Sequence, residues 1–346
     1  MTERRRLLIA DRDHGLPYSK GLAASQLMAT GLGAGQAYTV AHKVEQELIA
    51  LGEDSVTSDR LRDLTLEVLR REAGDKYAEA FIKWQSVAEL DMPLIILIGG
   101  ATGVGKSTIA TQLATRLGIT RVVSTDAVRE VLRSALTKEM FPTLYSSSYN
   151  ADAAVRHPIP HSADRLIIGF REQAAAVAVG AQSLIDRSIA EGTDMILEGA
   201  HLVPGFLESI DTDQAVVVPL LVVVDDEELH RSHFYLRSRE ARHRPGDRYL
   251  AAFKKIRRIQ KYMVSSGLMR GVPIISHYDL DATLSEIIDH VISRALESAQ
   301  RGVKVLAHDD KLLERAVEVV GRDKDGRDGK DGRDENERGL THEALS

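Results

Sequence analysis

Residues 94–110 read LIILIGGATGVGKSTIA. An unbroken apolar run passes into a glycine-rich turn and then into residues that favour a helix, so the order strand, turn, helix is written into one short stretch. Within it, residues 100–107, GATGVGKS, fit the pattern G-x-x-x-x-G-K-[ST]. Small residues let backbone N–H groups close around phosphate, and a helix N-terminus adds a favourable dipole. Gly100, Thr102, Gly103, Val104 and Gly105 would line a nucleotide's phosphates, with Thr108 in the first helical turn. Lys106 would reach the outer phosphates and the Ser107 hydroxyl would hold Mg²⁺.

From this strand onward the chain alternates apolar strands and helices. Further strands are expected in RVVST from Arg121, DMILEG from Asp194, AVVVPLLVVV from Ala215 and GVPIIS from Gly271. Continuous apolar runs are what strands buried on both faces require, and helical crossovers between them give a parallel sheet. The expected fold is α/β: a P-loop kinase-type doubly wound domain over residues 91–305. Pro93 marks its start. Residues 1–90 have apolar positions at helical spacing in AHKVEQELIALG and SDRLRDLTLEVLRREAG, with Thr57 or Ser58 as a cap and Gly52 and Gly74 at helix ends. A fourth helix is expected from Asp75 to about residue 90. Residues 306–346 form a C-terminal segment. From about residue 321 it becomes GRDKDGRDGKDGRDENERG, too poor in apolar side chains to offset its ordering entropy, and a disordered charged tail is expected.

Composition narrows the partners. The 346 residues carry a formal charge of −6, so attraction to a polyanion must be local, and no nucleic-acid partner is expected. There is no cysteine, hence no disulfide or thiolate metal site, which suits a reducing compartment. The apolar run near the start is far shorter than a signal peptide requires, and no stretch approaches the ~18 apolar residues of a membrane span. A cytoplasmic protein without a membrane partner is expected; oligomeric state is not encoded legibly.

In open α/β sheets the second substrate binds beyond the carboxyl ends of the strands. STDAVREVLR follows the second strand there. Asp126 is a candidate general base or Mg²⁺-water ligand, with a helix cap at Thr125 or Asp126 as the structural alternative. Arg129 and Arg133, one turn apart, can face one anion. ILEGAHLVPG places Glu198, a candidate for catalysis, where a carboxylate near Mg²⁺ is expected, and His201, a candidate for the acceptor, just beyond it. The hydroxyl-rich segment 141–152, followed by His157 and His161, is either a specificity loop or a surface connection.

Residues 231–261 hold eleven Lys/Arg against two Asp/Glu, interrupted at Pro245 and Gly246. Two helices with a hinge would make a mobile cationic lid that stabilises charge and excludes water. Arg239 and Arg242 are candidates for catalysis, and Arg231, Arg237, Arg244 and Arg248 for the acceptor. Aromatics are too few for a stacking platform, so a small anionic acceptor fits better.

Taken in order, GGATGVGKST, STDAVREVLR, LEGAHLVPG and the arginine-rich HRSHFYLRSREARHRPGDRYLAAFKKIRRIQKY resemble the archaeal-type 2-phosphoglycerate kinases and their bacterial relatives over about residues 90–300. The resemblance implies ATP, Mg²⁺ and a phosphorylated acceptor, 2-phosphoglycerate, converted to 2,3-bisphosphoglycerate. A kinase of another phosphorylated or polyol acceptor, such as an inositol phosphate, and a nucleotide-regulated switch protein remain alternatives. LLIADRDHGLPYSKGLAASQLMATGL resembles an ATP-cone. That resemblance implies adenine nucleotide at the N-terminal module, with Arg12 and Lys20 as phosphate candidates; Asp11 stands where a cone start carries lysine, and His14 separates Asp13 from Gly15.

Overall fold

The computed structural model describes residues 8–10, 15–53, 55–88, 90, 92–207, 214–240 and 246–298. These belong to one compact unit, Met1–Ala299. The C-terminal segment with its charged tail lies outside the described residues, as do Asp11, Arg12 and His14 of the cone-like start.

The N-terminal part begins with β1 (Leu8–Ala10), antiparallel to β2 (Gly15–Pro17) and parallel to β3 (Ser55–Val56). Four helices accompany them: α1 (Lys20–Met28), α2 (Ala34–Ala50), α3 (Ser58–Ala73) and α4 (Asp75–Ala88). Thr57 caps α3 by accepting from the Arg60 amide at 3.2 Å, and Gly74, at φ 100°, ends it. Leu27, Leu32, Val40, Val44, Leu48, Leu64, Val68, Leu69 and Phe81 bury themselves together. Lys20, a phosphate candidate of the sequence, binds Glu45 at 2.6 Å and is 5.7 Å from the Tyr38 ring.

The larger part is a five-stranded sheet with helices. Its elements are β4 (Leu94–Gly99), α5 (Lys106–Leu117), β5 (Arg121–Ser124), α6 (Thr125–Ala135), two 3-10 turns (Pro142–Tyr145 and Ser148–Ala154), α7 (Arg165–Ala190), β6 (Met195–Gly199), β7 (Val216–Val223), α8 (Glu227–Glu240), α9 (Gly246–Ala251), α10 (Phe253–Met269), β8 (Ile274–Ser276) and α11 (280–298). The strand order is β5-β6-β4-β7-β8, and every pairing is parallel. All six residues of β4 are buried, as a central strand covered on both faces must be. Because the strands run one way, their carboxyl ends share one edge. Register then fixes neighbours there: Glu198 stands beside Ile98 on one side and Ser124 on the other, while Gly99 faces Leu221. From β4 the chain goes to β5 on one side of it, whereas from β6 and from β7 it goes to the other, and this reversal opens the crevice used for ligands in such sheets. Among the described residues no helix is long and apolar enough to cross a membrane.

Three side chains of the N-terminal part, Ala29, Trp84 and Val87, are buried in the cluster that contains Leu94, Ile96, Ile109 and Leu113 of the sheet domain. Trp84→Ala, at the chain's single tryptophan, is expected to lower unfolding stability by ~3–5 kcal/mol, the usual loss for emptying a buried aromatic site. Urea unfolding followed by circular dichroism checks this; a change under about 1 kcal/mol would mean that the site is not packed as described.

Candidate active site

Helix α5 starts at Lys106 without a side-chain cap, after Gly105 in the left-handed conformation (φ 92°). Its first amides are thus available to an anion. The loop carbonyls from Ala101 to Gly105 are all engaged. Lys106 Nζ donates to Ala101 O at 2.8 Å. His230 Nε2 donates to Thr102 O at 2.9 Å, His233 Nδ1 to Gly103 O at 3.0 Å, and His277 Nδ1 to Val104 O at 2.9 Å. The Ile109 amide donates to Gly105 O at 3.0 Å and begins the helix. A carbonyl can only accept, so each of these ring nitrogens carries a proton.

The Ser107 hydroxyl donates to Glu198 Oε1 at 2.8 Å, and Glu198 is buried at the end of β6. Two hard oxygens thus meet beside the loop at residues 100–105, a donor pair that fits a small divalent cation. Among the described residues no group of three or more His, Asp or Glu could hold a metal alone. Mg²⁺ commonly takes one or two protein oxygens and completes its shell with phosphate and water. The structure brings Glu198 to Ser107, whereas Asp126 lies in the first turn of α6 with its side chain 71% exposed and Arg129 Nη2 3.8 Å away. The helix cap is Ser124, which accepts from the Ala127 amide at 3.2 Å.

Thr125 is turned inward instead. Its hydroxyl is 2.8 Å from His201 Nδ1, and His201 Nε2 is 3.1 Å from Gln173 Oε1. The proton positions follow from the far end. Gln173 Nε2 donates to the carbonyls of Thr143 and Ser146, so its oxygen faces the ring. His201 Nε2 must then be the protonated nitrogen, and Nδ1 accepts from Thr125. Burial pushes the His201 pKa down from 6.5 to about 4; Asp126 opposes the shift, and Arg129 and Lys106 add to it. The imidazole is neutral at physiological pH. Gly199 makes room for this arrangement: at φ 155°, an added Cβ would stand 1.8 Å from Thr125 Oγ1.

The candidate acceptor arginines are distributed. Arg129 Nη1 donates to Ser146 O at 2.8 Å, which ties segment 141–152 to α6. Arg133 pairs with Glu130 at 2.8 Å and lies 4.9 Å from the Tyr145 ring centroid. In both, Nε is buried without a hydrogen-bond partner. His157 is 3.1 Å from Glu172, and His161 is exposed. Arg231 stacks over Phe253 at 4.0 Å, with Glu228 3.6 Å away. Arg248 lines a cleft of about 300 Å³ with Tyr149, Asn150 and Lys255, and Lys255 pairs with Asp152 at 2.9 Å. The side chains of Arg237 and Arg239, and all of Arg242 and Arg244, lie outside the described residues. Gln173, His230, His233 and His277 were not singled out from the sequence, and Thr125 was read there only as a possible helix cap. The signals were there: two histidines three apart at a helix start, one just after the last strand, and a glutamine on the apolar face of α7.

The chain is similar to curated proteins named 2-phosphoglycerate kinase. That of Methanopyrus kandleri is 37% identical over 294 residues, 85% of this chain and 89% of that one. That of Methanothermobacter thermautotrophicus is 35% identical over 297 residues, 86% and 97% of the two chains. That of Pyrococcus furiosus is 38% identical over 282 residues, 82% and 91%. No family model matches the chain. A solved shikimate kinase from Acinetobacter baumannii overlaps 62% of this chain and 97% of its own at 14% identity and a TM-score of 0.34, a likeness too remote to carry weight.

The depressed His201 pKa has a consequence for stability. Between about pH 6.5 and 4 the unfolded chain takes up a proton at this residue and the folded chain does not. Its contribution is therefore complete above 6.5 and is lost as pH falls through this window. Urea midpoints measured across the window should decline less steeply in His201→Gln than in the unaltered protein. Equal slopes would contradict a buried, neutral His201.

Proposed function

The chain belongs to the 2-phosphoglycerate kinase family, and from that membership we propose that it transfers the γ-phosphoryl group of ATP to the free hydroxyl of 2-phosphoglycerate, giving ADP and 2,3-bisphosphoglycerate. The observation that carries the reading is identity of 35–38% across more than four-fifths of the chain with relatives of that name. The site's chemistry supports it from below. Loop amides and the α5 N-terminus suit the β-phosphate. Lys106, buried and resting on Ala101 O, has the length to turn toward the outer phosphates. Ser107 and Glu198 would hold Mg²⁺, which neutralises phosphate oxygens when bound.

In the transfer, the acceptor oxygen bonds to the γ-phosphorus as the bond to the bridging oxygen of ADP breaks. The acceptor's hydroxyl proton needs a base, and exposed Asp126, set beside Arg129, is the candidate. Neutral His201, held by Gln173 and joined to Thr125, keeps the start of α6 in place and adds no charge of its own. An acceptor already bearing carboxylate and phosphate needs paired hydrogen bonds from arginine forks. Arg129, Arg133, Arg231 and Arg248 are the described candidates; Arg237, Arg239, Arg242 and Arg244 of the lid complete the proposal.

Incubation with ATP and Mg²⁺ against 2-phosphoglycerate, 3-phosphoglycerate, glycerate, inositol and an inositol phosphate, read by mass spectrometry, tests this. The expected product is 2,3-bisphosphoglycerate from 2-phosphoglycerate, with at most ~1% as much turnover of unphosphorylated glycerate, because binding groups left unpaired reject the lesser substrate strongly. Equal turnover of glycerate or inositol would overturn the anionic-acceptor reading, and ATP hydrolysis indifferent to every acceptor would favour a switch protein.

A further inference from the structure

A loop that turns its amides toward an anion turns its carbonyls away from it, and a carbonyl removed from water needs a donor. In most of a protein, secondary structure supplies that donor. Between β4 and α5 it cannot, because Gly103 and Gly105 hold positive φ (88° and 92°) and the chain is neither strand nor helix. Three successive carbonyls, Thr102, Gly103 and Val104, are met by three imidazoles: His230, His233 and His277. None of the three belongs to the phosphate-binding pattern itself. Two stand on α8, the helix that leads into the arginine-rich segment, and one follows β8.

The contacts around these bonds show that the fit is built. The Phe234 ring lies against Gly103, where an added Cβ would come within 2.3 Å of it, and the His277 ring lies against Gly105 at 2.6 Å by the same measure. His230 stacks on Phe234 with ring centres 5.3 Å apart, and Phe234 stacks on Tyr249 of α9 at 5.1 Å. The rings of His233 and His277 are 5.5 Å apart. His230 is further constrained. Its Nδ1 lies 3.5 Å from Arg257 Nη1, and that arginine also donates to the carbonyls of Val224 and Asp225. A guanidinium can only donate, so Nδ1 accepts and Nε2 keeps the proton that Thr102 O needs. Burial holds the His230 pKa down at about 4, so the ring remains a neutral single donor.

We propose that His230, His233 and His277 are positioning residues of the phosphoryl transfer: their ring N–H groups fix the peptide planes of Thr102, Gly103 and Val104 so that the loop amides face the nucleotide, and through α8 they key the root of the lid to the phosphate grip. The inference rests on the nucleotide reading of residues 100–107. It assigns to the lid helix a role in nucleotide affinity, separate from what its arginines do for the acceptor.

The test uses the conservative geometry of asparagine, whose amide nitrogen stands about where histidine Nδ1 does. Titration calorimetry of the full chain with the β,γ-imido analogue of ATP and Mg²⁺ is compared for His233→Leu, His277→Leu, His233→Asn and His277→Asn, each checked for folding by thermal melting. The leucine variants should bind the analogue about tenfold more weakly, the usual loss for a carbonyl left without a donor, and the asparagine variants within about twofold of the unaltered protein. In steady state the leucine variants should raise KM for ATP more than KM for 2-phosphoglycerate. Folded leucine variants that bind normally, or asparagine variants as weak as leucine ones, would overturn the inference. An unaltered protein that fails to bind the analogue would overturn the nucleotide reading itself. Should the leucine variants not fold, ¹⁵N spectra of histidine-labelled protein decide the point: a protonated Nδ1 in His233 and His277 supports it, and an unprotonated Nδ1 in both overturns it.

Discussion

The rest of the site depends on one constraint: the carbonyls of Thr102, Gly103 and Val104, in the loop between β4 and α5, must find donors that secondary structure does not supply. They find them on α8 and in the turn after β8, while Lys106 and the Ile109 amide meet Ala101 O and Gly105 O. The parallel sheet, with its carboxyl ends on one edge, delivers groups far apart in sequence to one loop. His230 and Thr102 are separated by 128 residues, and His277 and Val104 by 173. The fold's topology and the loop's hydrogen bonding are therefore two descriptions of the same requirement.

A second layer of buried polarity sits on the other side of β4. Glu198 takes the Ser107 hydroxyl, and three residues later His201 takes the Thr125 hydroxyl and is itself held by Gln173. Burying such groups is costly unless each finds its partner. Here each does: the Glu198 side chain lies beside Ser107, and the His201 imidazole, kept neutral by burial, lies behind α6. Gly199 between them carries no side chain because Thr125 occupies that space. Asp126, in the same turn as Thr125, faces outward instead, with its side chain 71% exposed.

Much of this was legible in the chain. The apolar run at 94–99 and the glycine pattern at 100–107 gave strand, turn and helix because their physics is local: burial on both faces, positive φ, a helix N-terminus. Helices α2, α3 and α4 and the caps at Thr57 and Gly74 were legible for the same reason. Glu198 could be placed near the grip because a strand end has only one edge to go to. The Thr125–His201–Gln173 chain and the histidine donors were not legible. A histidine or glutamine on a helix says nothing about which distant carbonyl it meets, and strand order, which decides that, is not written in any one segment. Arg129 and Arg133 illustrate the limit: helical spacing put them on one face, but Ser146 O, Glu130 and the Tyr145 ring, which engage them, come partly from a loop that spacing cannot place.

The most direct test of the central claim is a crystal structure with the β,γ-imido analogue of ATP and Mg²⁺. The loop backbone should keep its conformation, with His230, His233 and His277 still on the carbonyls of Thr102, Gly103 and Val104. The β-phosphate should lie against the loop amides, and Lys106 should have left Ala101 O for the phosphates. Phosphates bound away from residues 100–107, or a loop whose peptide planes had flipped off the three histidines, would contradict it.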